Sequence, residues 1–367
     1  MNEIFKDTAG KIGRHSERGG FPRTIVLTGG GTAGHVTPLL AVAENLKNYK
    51  RIVYVGSGKT AESEIMKKCG AVIENTNPPK LIRGLSFKNF AIPVKLLKSI
   101  KTAKKILKKY NPSVVFSKGG YCALPVCLAA AKLKIPIVCH ESDITAGLAN
   151  KLIFKKCDKI FTSFSRTAAE YGGICSGPPM RGELNNISKS EAKKFYKIND
   201  DRPVLFVTGG SQGSLALNKA VAANFSALTA EFNVIHQCGK GKIPAYKPVN
   251  GYFACELTDM GYALAACDIV LSRGGSNTLF EALNAGKAIL CCPLEKGSRG
   301  DQLKNAGYFA EKNALAIIYE SELNGKLAEK LHEVYSNRKF YAEHAAKLKT
   351  CGGEKVIAKA LDKYAEI

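Results

Sequence analysis

The chain has 367 residues, 45% hydrophobic and 23% charged, a globular balance long enough for about two domains and unlike a disordered or fibrous sequence. No run approaches the ~18–20 consecutive apolar residues of a membrane-spanning helix, so the sequence does not read as one that crosses a bilayer. Lys and Arg number 54 against 31 Asp and Glu, and residues 1–183 hold 30 basic and 12 acidic side chains, net +18, against +5 for the rest; an anionic partner is therefore expected on the N-terminal half.

Residues 1–22 lack the apolar h-region of a secretory signal and read as a polar extension. Candidate strands follow at Thr24–Thr28, Arg51–Val55, Ser113–Ser117, Pro136–His140 and Lys159–Thr162. A second series is Pro203–Thr208, Asn233–Gln237, Asp268–Ser272 and Ala288–Cys292. Helix-period segments lie between them, among them Leu39–Lys47, Ile92–Tyr110, Asn277–Asn284 and Gln302–Ala310. This alternation predicts α/β architecture, parallel sheets with crossover helices. TIVLTGGGTAG and PVLFVTGGSQGS open the two series about 180 residues apart, each a strand running into a glycine loop and then a helix. The Gly/Pro-rich segment Ser176–Gly182, before the charged helix Lys189–Lys197, marks the junction. Two Rossmann-like, doubly wound domains are expected, 23–183 and 184–367, facing a central cleft where ligands sit beyond the carboxyl ends of the strands. The last helix is free to pack back on the first domain.

Twelve cysteines show no C-x-x-C pair and no Cys/His spacing for zinc. Cys139, Cys267, Cys291 and Cys292 fall in apolar runs, where a thiol packs as a small hydrophobe; a reduced, cytoplasmic protein is expected.

Gly29, Gly31 and Gly34 fit G-x-G-x-x-G after a strand, a pattern that lets backbone N–H groups approach phosphate at a helix N-terminus. A dinucleotide-dependent oxidoreductase would place an acid at the end of the second strand, about 20 residues on. Here that strand ends Val55-Gly56-Ser57-Gly58, and the loop lacks the Gly-Lys-Ser/Thr ending of a P-loop. Further turns at Lys118-Gly119-Gly120-Tyr121, Gly209–Gly213 and Arg273–Thr278 also follow apolar strands. Tight strand-to-helix turns favour glycine in any case; four of them in two matched domains point to two phosphate-bearing ligands sharing the cleft.

GGGTAGHVTP, FSKGGYCALP, VCHESDITAGLANK, GGSQGS, SRGGSNTLFEAL and DQLKNA occur in that order from about Arg23 to about Ala310. Together they closely resemble the MurG family, the bacterial UDP-N-acetylglucosamine:undecaprenyl-diphospho-muramoyl-pentapeptide N-acetylglucosaminyltransferases. The resemblance implies the GT-B fold. It also implies transfer of GlcNAc, with inversion, from UDP-GlcNAc to the C4 hydroxyl of a polyprenyl-diphospho-muramoyl-peptide acceptor (lipid I to lipid II) in peptidoglycan synthesis. No tightly bound cofactor is implied, and no Asp-x-Asp or His/carboxylate cluster beside the loops calls for a protein-held metal. Rival expectations are another GT-B enzyme, such as a glycolipid transferase or a UDP-GlcNAc 2-epimerase. More remote are an NADP-dependent oxidoreductase and a basic nucleic-acid-binding protein, the last without a recognised reading motif.

Carried over by motif, His35 is the candidate general base, since an imidazole of pKa about 6.5 suits proton abstraction near neutrality; a helix-capping or packing histidine is the alternative. Thr32, Ala33 and Gly34 fall where the family's first loop meets the donor and the acceptor diphosphate. Gly30, Gly31, Lys118, Gly119, Gly120 and Tyr121 are assigned to the acceptor. Ser211 and Gln212 would meet the UDP diphosphate, and the backbone at Leu257 the uracil. Ser276, Asn277 and Thr278 open a helix whose N-terminus suits a diphosphate. Glu281 would bind ribose hydroxyls, with an ordinary surface glutamate as the alternative. Asp301, Gln302 and Asn305 would read the sugar, and Arg181 would neutralise the leaving diphosphate. The family often has His-Glu-x-Asn where this chain has His140-Glu141-Ser142-Asp143; Asp143, able only to accept when ionised, is a second catalytic candidate that assists proton transfer, with an orienting role or a variant acceptor contact as the alternatives.

Lys80–Lys109 carries ten basic residues and no acidic one. Leu81, Ile82, Leu85 and Phe87, with Lys101, Lys104 and Lys105, are the expected face for an anionic membrane surface. The helical stripe Val94, Leu97, Ile100, Ala103, Leu107 and Tyr110 reads better as packing on the sheet.

Overall fold

The computed structural model describes residues 23–31, 33–80, 91–180, 187–244, 249–296, 300–350 and 352–366, with backbone alone at 33 and 35. The expected polar extension, Thr32, Leu81, Ile82, Leu85, Phe87 and Arg181 lie outside the described residues. Among the described residues, thirteen strands form two sheets. The first sheet contains β1 (Thr24–Thr28), β2 (Arg51–Gly56), β3 (Val72–Asn75), β4 (Val114–Ser117), β5 (Ile137–Glu141), β6 (Lys159–Thr162) and β7 (Ile174–Cys175). The second contains β8 (Val204–Thr208), β9 (Asn233–Gln237), β10 (Tyr252–Cys255), β11 (Ile269–Ser272), β12 (Ala288–Cys291) and β13 (Ala316–Ile317). All pairings are parallel, in the orders β3-β2-β1-β4-β5-β6-β7 and β10-β9-β8-β11-β12-β13. Both are the doubly wound plan, and each reverses direction once, between β1 and β4 and between β8 and β11.

Side-chain alternation along the central strands divides each core into two layers. Val26 faces Ile100, Ala103, Val126 and Ile153 on one side of the first sheet, while Ile25 and Leu27 face Val36, Leu39 and Met66 on the other. Phe206 and its neighbours Leu205 and Val207 divide the second sheet's layers in the same way. Helix crossovers cover both faces, so these strands are apolar throughout and legible as runs.

The halves are joined by packing as well as by the chain. Ile144 and Phe164, from the first half, belong to the core of Phe280 and Phe309. The Phe164 ring lies edge-on to Phe280 at 5.0 Å and to Tyr308 at 5.1 Å. The last helix, Gly353–Asp362, puts Ile357 and Leu361 among Val36 and Leu39 of the first half, and the Tyr49 hydroxyl donates to the Leu361 carbonyl at 2.6 Å.

The first helix corrects an expectation. It runs Ala33–Ala43 with Pro38 inside it, in place of the expected Leu39–Lys47, although proline usually interrupts a helix. Pro38 lacks the N–H that would bond the Gly34 carbonyl four residues back. That carbonyl lies in the helix's first turn and finds a partner across the cleft, described below.

Candidate active site between the two sheets

All four glycine loops leave strands that flank the two reversals: 29–31 after β1, 118–121 after β4, 209–213 after β8 and 273–275 after β11. The sequence expectation of a shared cleft thereby acquires a geometry, with two crevices of the kind that bind phosphate-bearing ligands.

The first loop is held from behind. Glu62, 4% exposed on the helix Thr60–Lys67, accepts from Gly31 N–H at 2.7 Å, Ser57 N–H at 3.1 Å and Ser57 Oγ at 2.8 Å. The Tyr54 hydroxyl lies 2.7 Å from the Gly29 carbonyl and 3.1 Å from Glu62 Oε2, one proton between two acceptors. Gly31 has φ +95°, and a Cβ there would stand 2.6 Å from the Tyr121 ring, so only glycine fits. Its N–H is used by Glu62 within the protein, so not every amide of this loop is left for a ligand. Gly30 sits over the same carboxylate. His35 is the third residue of the helix that follows.

The loop after β5 is shaped by Glu141. Its carboxylate accepts from Asp143 N–H at 3.0 Å, Gly147 N–H at 3.1 Å and Asn150 Nδ2 at 2.7 Å. Burial, reinforced by the charge of Asp143, pushes the Glu141 carboxyl pKa up. His140 is fully buried with Nε2 3.1 Å from the Gly177 carbonyl. Burial and then the Lys118 charge hold it well below the usual imidazole range, so it is neutral. Lys118, expected at the acceptor, keeps its ammonium buried and donates to Ser142 Oγ. Burial lowers its pKa to about 8 against the pull of Glu141 and Asp143. Gly119, at φ +82°, passes so close to Asn150 that a Cβ would lie 2.3 Å from its Oδ1. Gly120 and Tyr121 complete this loop, with Tyr121 packed against Gly31.

In the second half, Gln237 ties two expected donor segments together. Its Nε2 donates to Thr208 Oγ1 at 3.0 Å and to the Gly210 carbonyl at 3.1 Å, while its Oε1 accepts from Thr258 N–H at 3.0 Å. Ser211 and Gln212 lie on the first segment, and Leu257, 63% exposed, on the second. Arg273 braces the loop after β11 through Ser214 Oγ at 3.0 Å, the Cys292 carbonyl at 3.1 Å and Glu320 at 2.6 Å. The helix Ser276–Asn284 begins there with no side chain capping its N-terminal amides, which leaves their partial positive charge for an anion. Thr278 is in its first turn, and Glu281 follows one turn on.

The expected sugar readers are divided. Gln302 Oε1 accepts from Leu294 N–H at 3.0 Å, in the loop beyond β12. Asp301 accepts from Thr145 Oγ1 of the first half. Asn305 is fully buried: its Oδ1 accepts from Ile144 N–H at 2.9 Å, and its Nδ2 donates to Asp143 Oδ1 at 2.9 Å and the Gly274 carbonyl at 3.1 Å. In this arrangement Asn305 is a tie between the halves, with no amide atom turned to the cleft. Glu62, Glu141 and Gln237 are the loop-bracing groups that sequence reasoning missed. Among the described residues no group of three or more His, Cys, Asp or Glu side chains is placed to hold a metal ion.

No helix among the described residues is long and apolar enough to cross a membrane. The helix Ile92–Tyr110 divides its stripe: Ile100, Ala103, Leu107 and Tyr110 are buried, while Val94 and Leu97 are 58% and 63% exposed beside exposed Lys101, Lys104 and Lys105. Leu148 and Leu152, on a helix of the same layer, are also exposed.

Residues 25–162 match the glycosyltransferase family 28 N-terminal domain, and residues 204–361 the glycosyltransferase family 28 C-terminal domain. A UDP-N-acetylglucosamine--N-acetylmuramyl-(pentapeptide) pyrophosphoryl-undecaprenol N-acetylglucosamine transferase of Clostridium botulinum is 39% identical over 351 residues, 93% of this chain and 99% of its own. The crystal structure of Acinetobacter baumannii MurG superposes with a TM-score of 0.70 at 25% identity, covering 93% of this chain and 100% of that one. A UDP-GlcNAc 2-epimerase from Neisseria meningitidis, at 13% identity and a TM-score of 0.64 over 93% of this chain and 100% of that one, shares the fold. Two domain models matched in order, and a relative aligned along nearly its whole length, establish that the chain belongs to glycosyltransferase family 28, among the MurG transferases.

Proposed function

We infer that this chain is the inverting transferase that moves GlcNAc from UDP-GlcNAc to the C4 hydroxyl of polyprenyl-diphospho-MurNAc-pentapeptide. The observation that carries the reading is the pair of sheet reversals, each flanked by two glycine loops, since two diphosphate-bearing substrates need two anion-binding crevices. The acceptor C4 oxygen attacks C1 of the sugar from the face opposite the diphosphate, giving a β-1,4 link. The hydroxyl proton passes to His35 as the C1–O bond to UDP breaks and its electron pair stays on the diphosphate. The amides opening the helix Ser276–Asn284, the Gly209–Gly213 loop and Arg181 stabilise that departing charge.

UDP release from UDP-GlcNAc, measured with and without a soluble short-chain lipid I analogue, tests the reading. Acceptor-dependent release with a β-1,4-linked disaccharide product is expected; release without acceptor would favour epimerase chemistry. Glu281→Ala removes a carboxylate that accepts from the ribose hydroxyls, a loss of about 1.5 kcal/mol or roughly tenfold. The KM for UDP-GlcNAc should rise by that factor with kcat nearly unchanged, and an unaltered donor affinity would contradict the ribose assignment.

The acceptor's lipid tail requires a membrane-adjacent enzyme. Val94, Leu97, Leu148 and Leu152, exposed among lysines, support peripheral docking on the anionic cytoplasmic leaflet. Each basic residue near such a surface adds about 1 kcal/mol. Reversing Lys101, Lys104 and Lys105 to Glu should weaken partitioning onto vesicles containing anionic lipid about a hundredfold or more, and unchanged partitioning would remove this helix from the membrane face.

A further inference from the structure

A chain of hydrogen bonds crosses the cleft from one candidate loop to another. Buried Lys118 donates to Ser142 Oγ, Ser142 Oγ donates to Asn277 Oδ1 at 3.2 Å, and Asn277 Nδ2 donates to the Gly34 carbonyl at 2.8 Å. The direction of every bond is set from both ends. An ammonium has only protons to offer, so Ser142 must accept from Lys118 and use its own proton on Asn277. A carbonyl can only accept, so the Asn277 amide must turn its nitrogen to Gly34 and its oxygen to Ser142. The Gly34 carbonyl is available because Pro38, four residues on, has no N–H to occupy it. Lys118 and Ser142 come from two loops of the first sheet, Gly34 from the first turn of the helix after β1, and Asn277 from the first turn of the helix that would seat the donor diphosphate.

We propose that Ser142 is a positioning residue for the transfer: its hydroxyl carries the hydrogen-bond direction from Lys118 to Asn277, which in turn fixes the backbone of Gly34 beside His35 against the donor helix. The proposal rests on the reading of His35 as base and of the Ser276–Asn284 helix as donor seat. Ser142 does not need to touch either substrate. Its effect is to hold the start of the Ala33–Ala43 helix at a fixed place relative to the donor, so its loss acts on the chemical step and not on donor binding.

The test compares the wild type with Ser142→Ala and Ser142→Thr in acceptor-dependent UDP release, alongside amide hydrogen exchange of residues 33–43 in the free enzyme. Ser142→Ala should lower kcat about tenfold, the loss of one net hydrogen bond, with the KM for UDP-GlcNAc within about twofold. Ser142→Thr, which keeps the hydroxyl, should recover most of the rate. Exchange at 33–37 should quicken in the Ala variant alone. Wild-type kcat in Ser142→Ala, a Thr variant as slow as Ala, or a raised KM with normal kcat would each overturn the proposal. Should the wild type itself show no acceptor-dependent release, the transferase reading fails separately, and unchanged exchange in Ser142→Ala would still overturn the link to Gly34.

Discussion

His35→Ala is expected to lower kcat by roughly 10²–10⁴-fold, the usual contribution of a positioned general base, while UDP-GlcNAc affinity stays within about twofold. The neighbouring groups narrow the choice of base. His140, the other imidazole of this loop cluster, is fully buried against the Gly177 carbonyl and held neutral by burial, with no route to an acceptor hydroxyl. Asp143 directs Oδ1 to Asn305 Nδ2 at 2.9 Å, a bond that an amide oxygen at the same place makes equally well. Asp143→Asn should therefore cost less than about tenfold if the carboxylate only orients the loop, and as much as His35→Ala if it takes the proton. Single-turnover transfer with a lipid I analogue separates the two. Full turnover in His35→Ala would remove His35 as base.

The central strands were legible because helices cover both sheet faces, which makes these strands continuous apolar runs. The four strands that sequence reading missed, β3, β7, β10 and β13, are the four edges. They are two to four residues long with no residue fully buried, so hydropathy carries little trace of them. The first helix contains Pro38, and the Gly34 carbonyl that Pro38 leaves without an N–H accepts from Asn277, 239 residues beyond Pro38, a partner invisible to any local rule. Glu62 had a signal that could be read. It stands four residues before Met66, on the buried face of its helix, where a carboxylate is costly unless donors surround it. Asn305 shows the limit of carrying roles over by motif. Its amide is used within the protein, a fact fixed by the packing of Ile144 and Asp143 from the other half.

Lys118 should make stability and activity respond to pH with opposite signs. Its neighbours Glu141 and Asp143 favour the charged form, but burial outweighs them and brings the pKa from 10.5 to about 8, with His140 on the adjacent strand β5 kept neutral. Below pH 8 the lysine is protonated in both folded and unfolded chains and the burial penalty is fully present. Between about pH 8 and 10.5 the unfolded chain holds the extra proton, so stability contributed by this group rises with pH, by about 3 kcal/mol in all. Buried thiols such as Cys267, pushed up to about 12 by burial, act in the opposite sense above pH ~8.5, so the measurable quantity is a difference between two proteins. Urea unfolding of the wild type and Lys118→Met, a neutral side chain of similar length, should show the variant's advantage shrinking by about 2–3 kcal/mol between pH 7 and pH 10; parallel pH profiles would sink the assignment. Activity should move the other way. A neutral amine has a lone pair and can accept the Ser142 proton, which releases Asn277 from its fixed orientation. Wild-type kcat should therefore fall on an alkaline limb near pH 8 while the fold gains stability, and Ser142→Ala, already without the link, should lack that limb.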